Sequence, residues 1–131
     1  MLVRCLLVVM CLAVMPAAVA QEAGSGDSPV HRAVVCSDVV DREPVGAGTA
    51  FSKDVDRVFC FTEIRDLEGA TITHAWIHEG TTRARVELDV RSTRWRTWSY
   101  KDMRPEWTGR WQVKILDAEG IVLATQEFVL E

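Results

Sequence analysis

From His31 onward, apolar side chains recur at every second position, and no stretch keeps a helical spacing. The clearest run is RARVELDVR (Arg83–Arg91), where Ala84, Val86, Leu88 and Val90 share one face and charged residues occupy the other. Such alternation marks a half-buried antiparallel strand. RWQVKI repeats it, with Trp111, Val113 and Ile115 inward and Arg110, Gln112 and Lys114 outward. RVFCFTEI (Arg57–Ile64) and ATITHAWIH (Ala70–His78) are rich in the β-branched and aromatic residues that strands favour. Turn-forming DLEG, HEGTT, RST and DAEG separate the runs. With HRAVVCSDVV at the front and IVLATQEFVL at the back, the pattern predicts about seven strands. Short strands and regular turns over about 100 residues predict an all-β fold, an antiparallel two-sheet sandwich of immunoglobulin-like shape. Trp76 on the third strand is its expected core tryptophan. A two-residue turn at Ser92-Thr93 is expected to set Arg96 opposite Asp89 and Trp95 opposite Val90, an ordinary cross-strand pairing.

The first twenty residues break this pattern. A charged MLVR, an apolar run from Cys5 to Met15 and a closing Ala18-Val19-Ala20 have the layout of a cleaved secretory signal peptide. Residues 21–30, QEAGSGDSPV, are small and polar and read as a flexible leader. A single domain is expected over 31–131, with no membrane span after cleavage, in an exported protein of the bacterial periplasm or cell envelope. Removing the signal leaves two cysteines, Cys36 and Cys60. An even pair in an exported chain favours one disulfide. Closing a loop of that length stabilises a fold by roughly 3.5 kcal/mol in the chain-entropy model.

Charge changes the picture only locally. The whole chain carries −4. Basic residues concentrate between 83 and 114, where nine Lys and Arg face four Asp and Glu. Arg94 to Trp111 alone holds four of the five tryptophans and the single tyrosine. Alternation turns Trp95 and Trp111 inward and leaves Trp98 and Trp107 as the tryptophans that can face solvent. Arg94, Arg96, Trp98 and Arg110 are the candidate outer patch, fit for a protein partner or an anionic envelope polymer or glycan. No nucleic acid is expected as a partner. His74 and His78 share a strand face but lie about 13 Å apart at strand spacing, too far to share one metal. No G-x-S-x-G elbow marks a hydrolase, and Asp41 and Glu43 in DREPV read as a salt-bridged turn. No catalytic residue, metal or cofactor is expected; a small hydrolase using Ser99 or His74 is the remaining alternative.

DREPV, THAW, RWRTWSYKD, GRWQVKILDAEG and the closing F-V-L resemble, in that order, the Domain of Unknown Function 2914 family. The resemblance spans about His31 to Glu131. Its most specific pieces are H-x-W, then W-R-T-x-S-x-K, then G-x-W-x-V. By position these are His74 and Trp76; Trp95, Arg96, Thr97, Ser99 and Lys101; and Gly109, Trp111 and Val113. The resemblance implies an exported or membrane-tethered bacterial domain without assigned activity. Its motif residues are expected to be structural.

Overall fold

The computed structural model describes residues 28–131, so the expected signal peptide and most of the leader lie outside the described residues. Ten strands follow in order: β1 (Val30–Cys36), β2 (Asp38–Val40), β3 (Glu43–Val45), β4 (Ala50–Phe51), β5 (Arg57–Arg65), β6 (Thr71–His78), β7 (Thr81–Asp89), β8 (Arg94–Asp102), β9 (Gly109–Leu116) and β10 (Val122–Leu130). β1 and β5 to β10 are the seven expected from alternation. The three extra ones are only two or three residues long, too short for a period to register. One sheet has the order β1-β5-β8, the other β4-β10-β9-β6-β7, and β2 and β3 form a separate hairpin.

The two larger sheets close over one core. β5 contributes Val58, Cys60 and Ile64, β6 contributes Ile72 and Trp76, and β9 contributes Trp111, Val113 and Ile115. Phe128 on β10 lies at the centre of the aromatic packing, stacked on Trp111 at 5.9 Å and edge-on to Trp76 and Phe51 at 6.2 and 5.7 Å. Trp76 and Trp111 are fully buried. Each such indole removes roughly 200 Å² from water, on the order of 5 kcal/mol of transfer free energy.

Two expectations fail on register. β7 and β8 belong to different sheets, so Ser92-Thr93 make a crossover and not a hairpin. Arg96 therefore lies opposite Glu63 on β5, and Trp95 opposite Ile64, while Asp89 lies opposite Thr71. The turn lacks Asn-Gly chemistry, which leaves the chain free to cross over.

The expected disulfide is also absent. Cys60 lies opposite Val35, and Cys36 opposite Phe59. Directly opposed residues share a face and successive residues alternate, so this one-residue offset turns the two thiols to opposite sides of the sheet. Both cysteines are free and buried. Cys60 belongs to the core with Val35, and burial pushes its thiol up, with Cys36 adding a smaller push. Burial also raises the Cys36 thiol.

Candidate functional site

Strand β8 brings the expected site residues to two opposite faces. Its register against β5 sends Trp95, Thr97, Ser99 and Lys101 inward and Arg94, Arg96, Trp98 and Tyr100 outward.

The inward set meets β6 in a buried polar network. His74 Nδ1 lies 2.7 Å from Ser99 Oγ, and Nε2 lies 3.3 Å from Thr62 Oγ1. Trp76 Nε1–H donates to Ser99 Oγ at 3.1 Å, and the Thr62 hydroxyl donates to the Thr97 carbonyl at 2.9 Å. One assignment of protons satisfies every group. Because the Thr62 hydrogen is spent on Thr97, Thr62 must accept from His74 Nε2–H, so Nδ1 is bare and accepts the Ser99 hydroxyl. The chain of donors then runs Trp76 to Ser99 to His74 to Thr62 to Thr97, from one sheet to the other. Burial pushes the His74 pKa down to about 4, which keeps this neutral tautomer at ordinary pH. His74, Trp76 and Ser99, separate letters in two sequence motifs, are thus one structure.

A serine hydroxyl 2.7 Å from a histidine nitrogen has the spacing of a nucleophile and its base. Here the serine is 4 % exposed and the histidine 0 %. The histidine's second nitrogen meets a threonine hydroxyl, where a catalytic triad places a carboxylate. The geometry suits a polar staple between the sheets.

The outward set lies on the far side of the same sheet, beneath the β2–β3 hairpin. Asp41 and Arg42 at its tip have φ of 50° and 61°, the two left-handed residues of a type I′ turn. This turn carries Arg42 over β8. Its guanidinium lies 5.3 Å from the Trp95 ring and 6.0 Å from that of Trp98, and it donates to the Arg96 carbonyl at 3.2 Å. Glu43 pairs with Arg96 at 2.7 Å and Arg32 at 3.0 Å. Trp98 stacks on Phe61 at 6.3 Å, and the Arg32 guanidinium lies over the same buried Phe61 ring at 4.8 Å.

Glu63 stands at the centre of this face, 3 % exposed. Desolvation raises its carboxyl, but a hydrogen bond from Arg96, with Arg94, His31 and Arg65 nearby, more than reverses that and holds it below the usual carboxylate range. Arg65 lies at 3.3 Å, Arg96 at 3.4 Å and Arg94 at 3.6 Å. Arg65 belongs to the same strand as Glu63, two residues on, whereas Arg94 and Arg96 come from β8, the strand expected beside β7.

The candidate patch therefore divides. Arg94, Arg96 and Trp98 do converge, with Tyr100 beside them 49 % exposed and Arg57 at 4.2 Å over its ring. Arg96 is already paired with two carboxylates. Arg110 does not belong to the group: it sits on β9 in the other sheet, opposite Val129. Distance in sequence concealed this, since outward residues of different sheets point away from each other.

The remaining motif residues are structural in position. Trp111 is buried, stacks on His78 at 4.7 Å and donates its indole N–H to the Trp107 carbonyl at 2.9 Å. Gly109 adopts φ 113°, and a side-chain carbon there would collide with the Glu79 carboxylate. That carboxylate accepts the Arg110 backbone N–H at 2.7 Å. Gly109→Ala is expected to cost about 1–3 kcal/mol through strain and displacement of Glu79. Urea unfolding measures it; an unchanged midpoint rejects the tight-contact account. Lys101 holds an inward register position opposite the buried Val58, yet its ammonium lies 4.6 Å from the Trp107 ring centre. Among the described residues, no group of three His, Cys, Asp or Glu is arranged to hold a metal ion.

Residues 69–130 match the model of a family described as Protein of unknown function (DUF2914), the family that the motifs resemble. The match contains every motif residue from His74 to Val113 and begins after DREPV, so β1, the β2–β3 hairpin and β5 lie outside it. No curated protein matches the chain.

Proposed function

We propose, from the match of residues 69–130 to the DUF2914 model and from the strand faces, that the domain is a non-catalytic interaction module of an exported bacterial protein. It presents the outer face and free edge of β8 to a protein partner. The observation that carries this reading is the division of labour on β8. Its inward Ser99 is consumed by the network joining the sheets, while Arg94, Arg96, Trp98 and Tyr100 follow one another along the outward face of a strand that ends its sheet. Aromatic and arginine side chains are the ones that carry binding energy at protein interfaces. Apart from the Arg96 carbonyl, which Arg42 already fills, the strand edge adds main-chain donors and acceptors that a partner strand can complete. The layout of residues 1–20 supports export.

An anionic polymer is the weaker occupant of this face. Glu43 and Glu63 already neutralise much of its positive charge, through Arg32 and Arg96 and through Arg65, Arg94 and Arg96 respectively. Binding to a polyanion scales with unneutralised cations and falls steeply with salt.

A photo-crosslinking residue placed at Tyr100 tests the proposal in envelope extracts. A discrete protein adduct is expected, retained at about 0.5 M salt, where surface charge is largely screened. Arg94→Glu with Trp98→Ala abolishes it, and the same probe at exposed Ile121 gives none. An adduct independent of Trp98 and Arg94 rejects this surface. Salt-sensitive retention on an anionic-glycan matrix in place of an adduct transfers the function to the polymer.

A further inference from the structure

Beyond that face, the structure holds a second cluster at the end of β8. Trp107 is half-buried against the core, in the connection between β8 and β9. Three cations crowd its indole: Lys101 at 4.6 Å from the ring centre, Arg104 at 4.9 Å and Arg83 at 5.5 Å. They come from β8, the following turn and β7. None of the three takes part in a salt bridge among the described residues. By contrast, every arginine on the outer face of β8 has a carboxylate partner.

The arrangement is held from beneath. The Trp107 backbone N–H donates to the Arg104 carbonyl at 2.9 Å, closing a turn with Pro105 at its second position, where the proline ring presets the backbone. Arg104 and Trp107 are thereby set side by side. The Trp107 carbonyl is anchored in turn by the buried Trp111 indole. Each ring face attracts cations through its negative quadrupole, but an indole has only two faces for three charges. The three lie within roughly 10 Å of one another, about one Debye length at 0.1 M salt, so their mutual repulsion is only partly screened. Like charges gathered around a fixed ring, with no carboxylate within salt-bridge distance of them among the described residues, attract an anion.

We propose that Arg83, Lys101, Arg104 and Trp107 form a binding site for a phosphate group or a comparable polyvalent oxyanion. The indole faces are occupied by the cations, so the ligand does not stack; it bridges the guanidinium forks and the lysine ammonium, whose donors match tetrahedral oxygens. The phosphate can be free in solution or borne on a lipid headgroup, and both present the same oxygens. The site faces away from Trp98 and Tyr100 in the register of β8, so it does not depend on the proposed protein-binding face.

The test follows the Trp107 indole N–H resonance of the protein. Pyrophosphate is titrated in one arm, and vesicles of phosphatidylglycerol or phosphatidylcholine in the other. A saturable shift with pyrophosphate is expected. Response to phosphatidylglycerol vesicles alone identifies the lipid headgroup as the source. Either response should weaken by about tenfold or more in Arg83→Gln with Arg104→Gln, which removes two of the three charged contacts. Arg85→Gln, exposed on the same strand as Arg83, should leave it unchanged. Matching urea midpoints show that the variants are folded. No saturable response in either arm, or one as strong in the double variant as in the parent, overturns the site.

Discussion

Ser99→Ala is expected to destabilise the domain by about 2–5 kcal/mol, far beyond what loss of one small hydroxyl suggests. The hydroxyl is the shared partner of two buried groups, the Trp76 indole N–H at 3.1 Å and His74 Nδ1 at 2.7 Å. Neither group has water within reach at 0 % exposure. Leaving a buried donor or acceptor without a partner costs the desolvation already spent on it, about 1–3 kcal/mol for each group. The loss is also non-additive with changes at His74. In a His74→Leu background one of the two orphans no longer exists, so Ser99→Ala should cost distinctly less there. Urea unfolding of the four proteins of this cycle measures the coupling. Equal costs in both backgrounds contradict the proton chain from Trp76 to Thr97.

Stability should also fall by roughly 3 kcal/mol as pH drops from 6.5 toward 4, through His74 alone. The sign follows from where the proton binds. Burial holds the folded histidine's pKa at about 4, against 6.5 for an unperturbed imidazole. Between those values the unfolded chain takes up a proton that the native state refuses, so acid favours unfolding. Above 6.5 both states are neutral and the full stability is present. Glu63 adds a second, lower window. Its carboxyl is held below the usual carboxylate range by Arg96, Arg94, His31 and Arg65, which outweigh its own desolvation. Its contribution is present above that range and is lost as pH falls through the depressed value. Urea midpoints between pH 7.5 and 4.5 isolate the His74 part, and His74→Leu should flatten that slope despite lowering stability overall. A parent curve already flat over this interval, or an equally steep one in the variant, rules out the assigned burial of a neutral imidazole.

How far the pattern of the chain could be read depended on whether a feature was local. Alternation of Ala84, Val86 and Leu88, or of Trp111, Val113 and Ile115, is written into single segments, and it located all seven long strands. The inward direction of Trp111 followed from the same period, and the core position of Trp76 from the expected sandwich. The motif residues were legible as letters, but their common purpose was not. His74 and Ser99 are 25 positions apart and meet only because β6 and β8 face each other across the sandwich.

Pairing between strands was the step that local pattern did not reach. Assigning β8 to β7 set Arg96 against Asp89; the sheet that actually forms sets it against Glu63. The compartment reading of Cys36 and Cys60 likewise took no account of register, and a single-residue offset between β1 and β5 separates their faces. Arg110 left the patch for the same reason, and Trp107 became the centre of three cations supplied by separate elements.

By itself, then, the order of residues determined that the chain forms extended segments with one oily side, that Trp111 lies inward, and where the family motifs lie, whereas Trp107, expected to face solvent, packs half-buried against the core. Only the tertiary structure decided which strands become neighbours, and so which charges pair, which thiols stay apart and which cations remain unmatched. The physical reason is that side-chain alternation depends on the backbone of one strand, whereas ion pairs, hydrogen-bond chains and cation clusters depend on the register between strands, which the period of two leaves open.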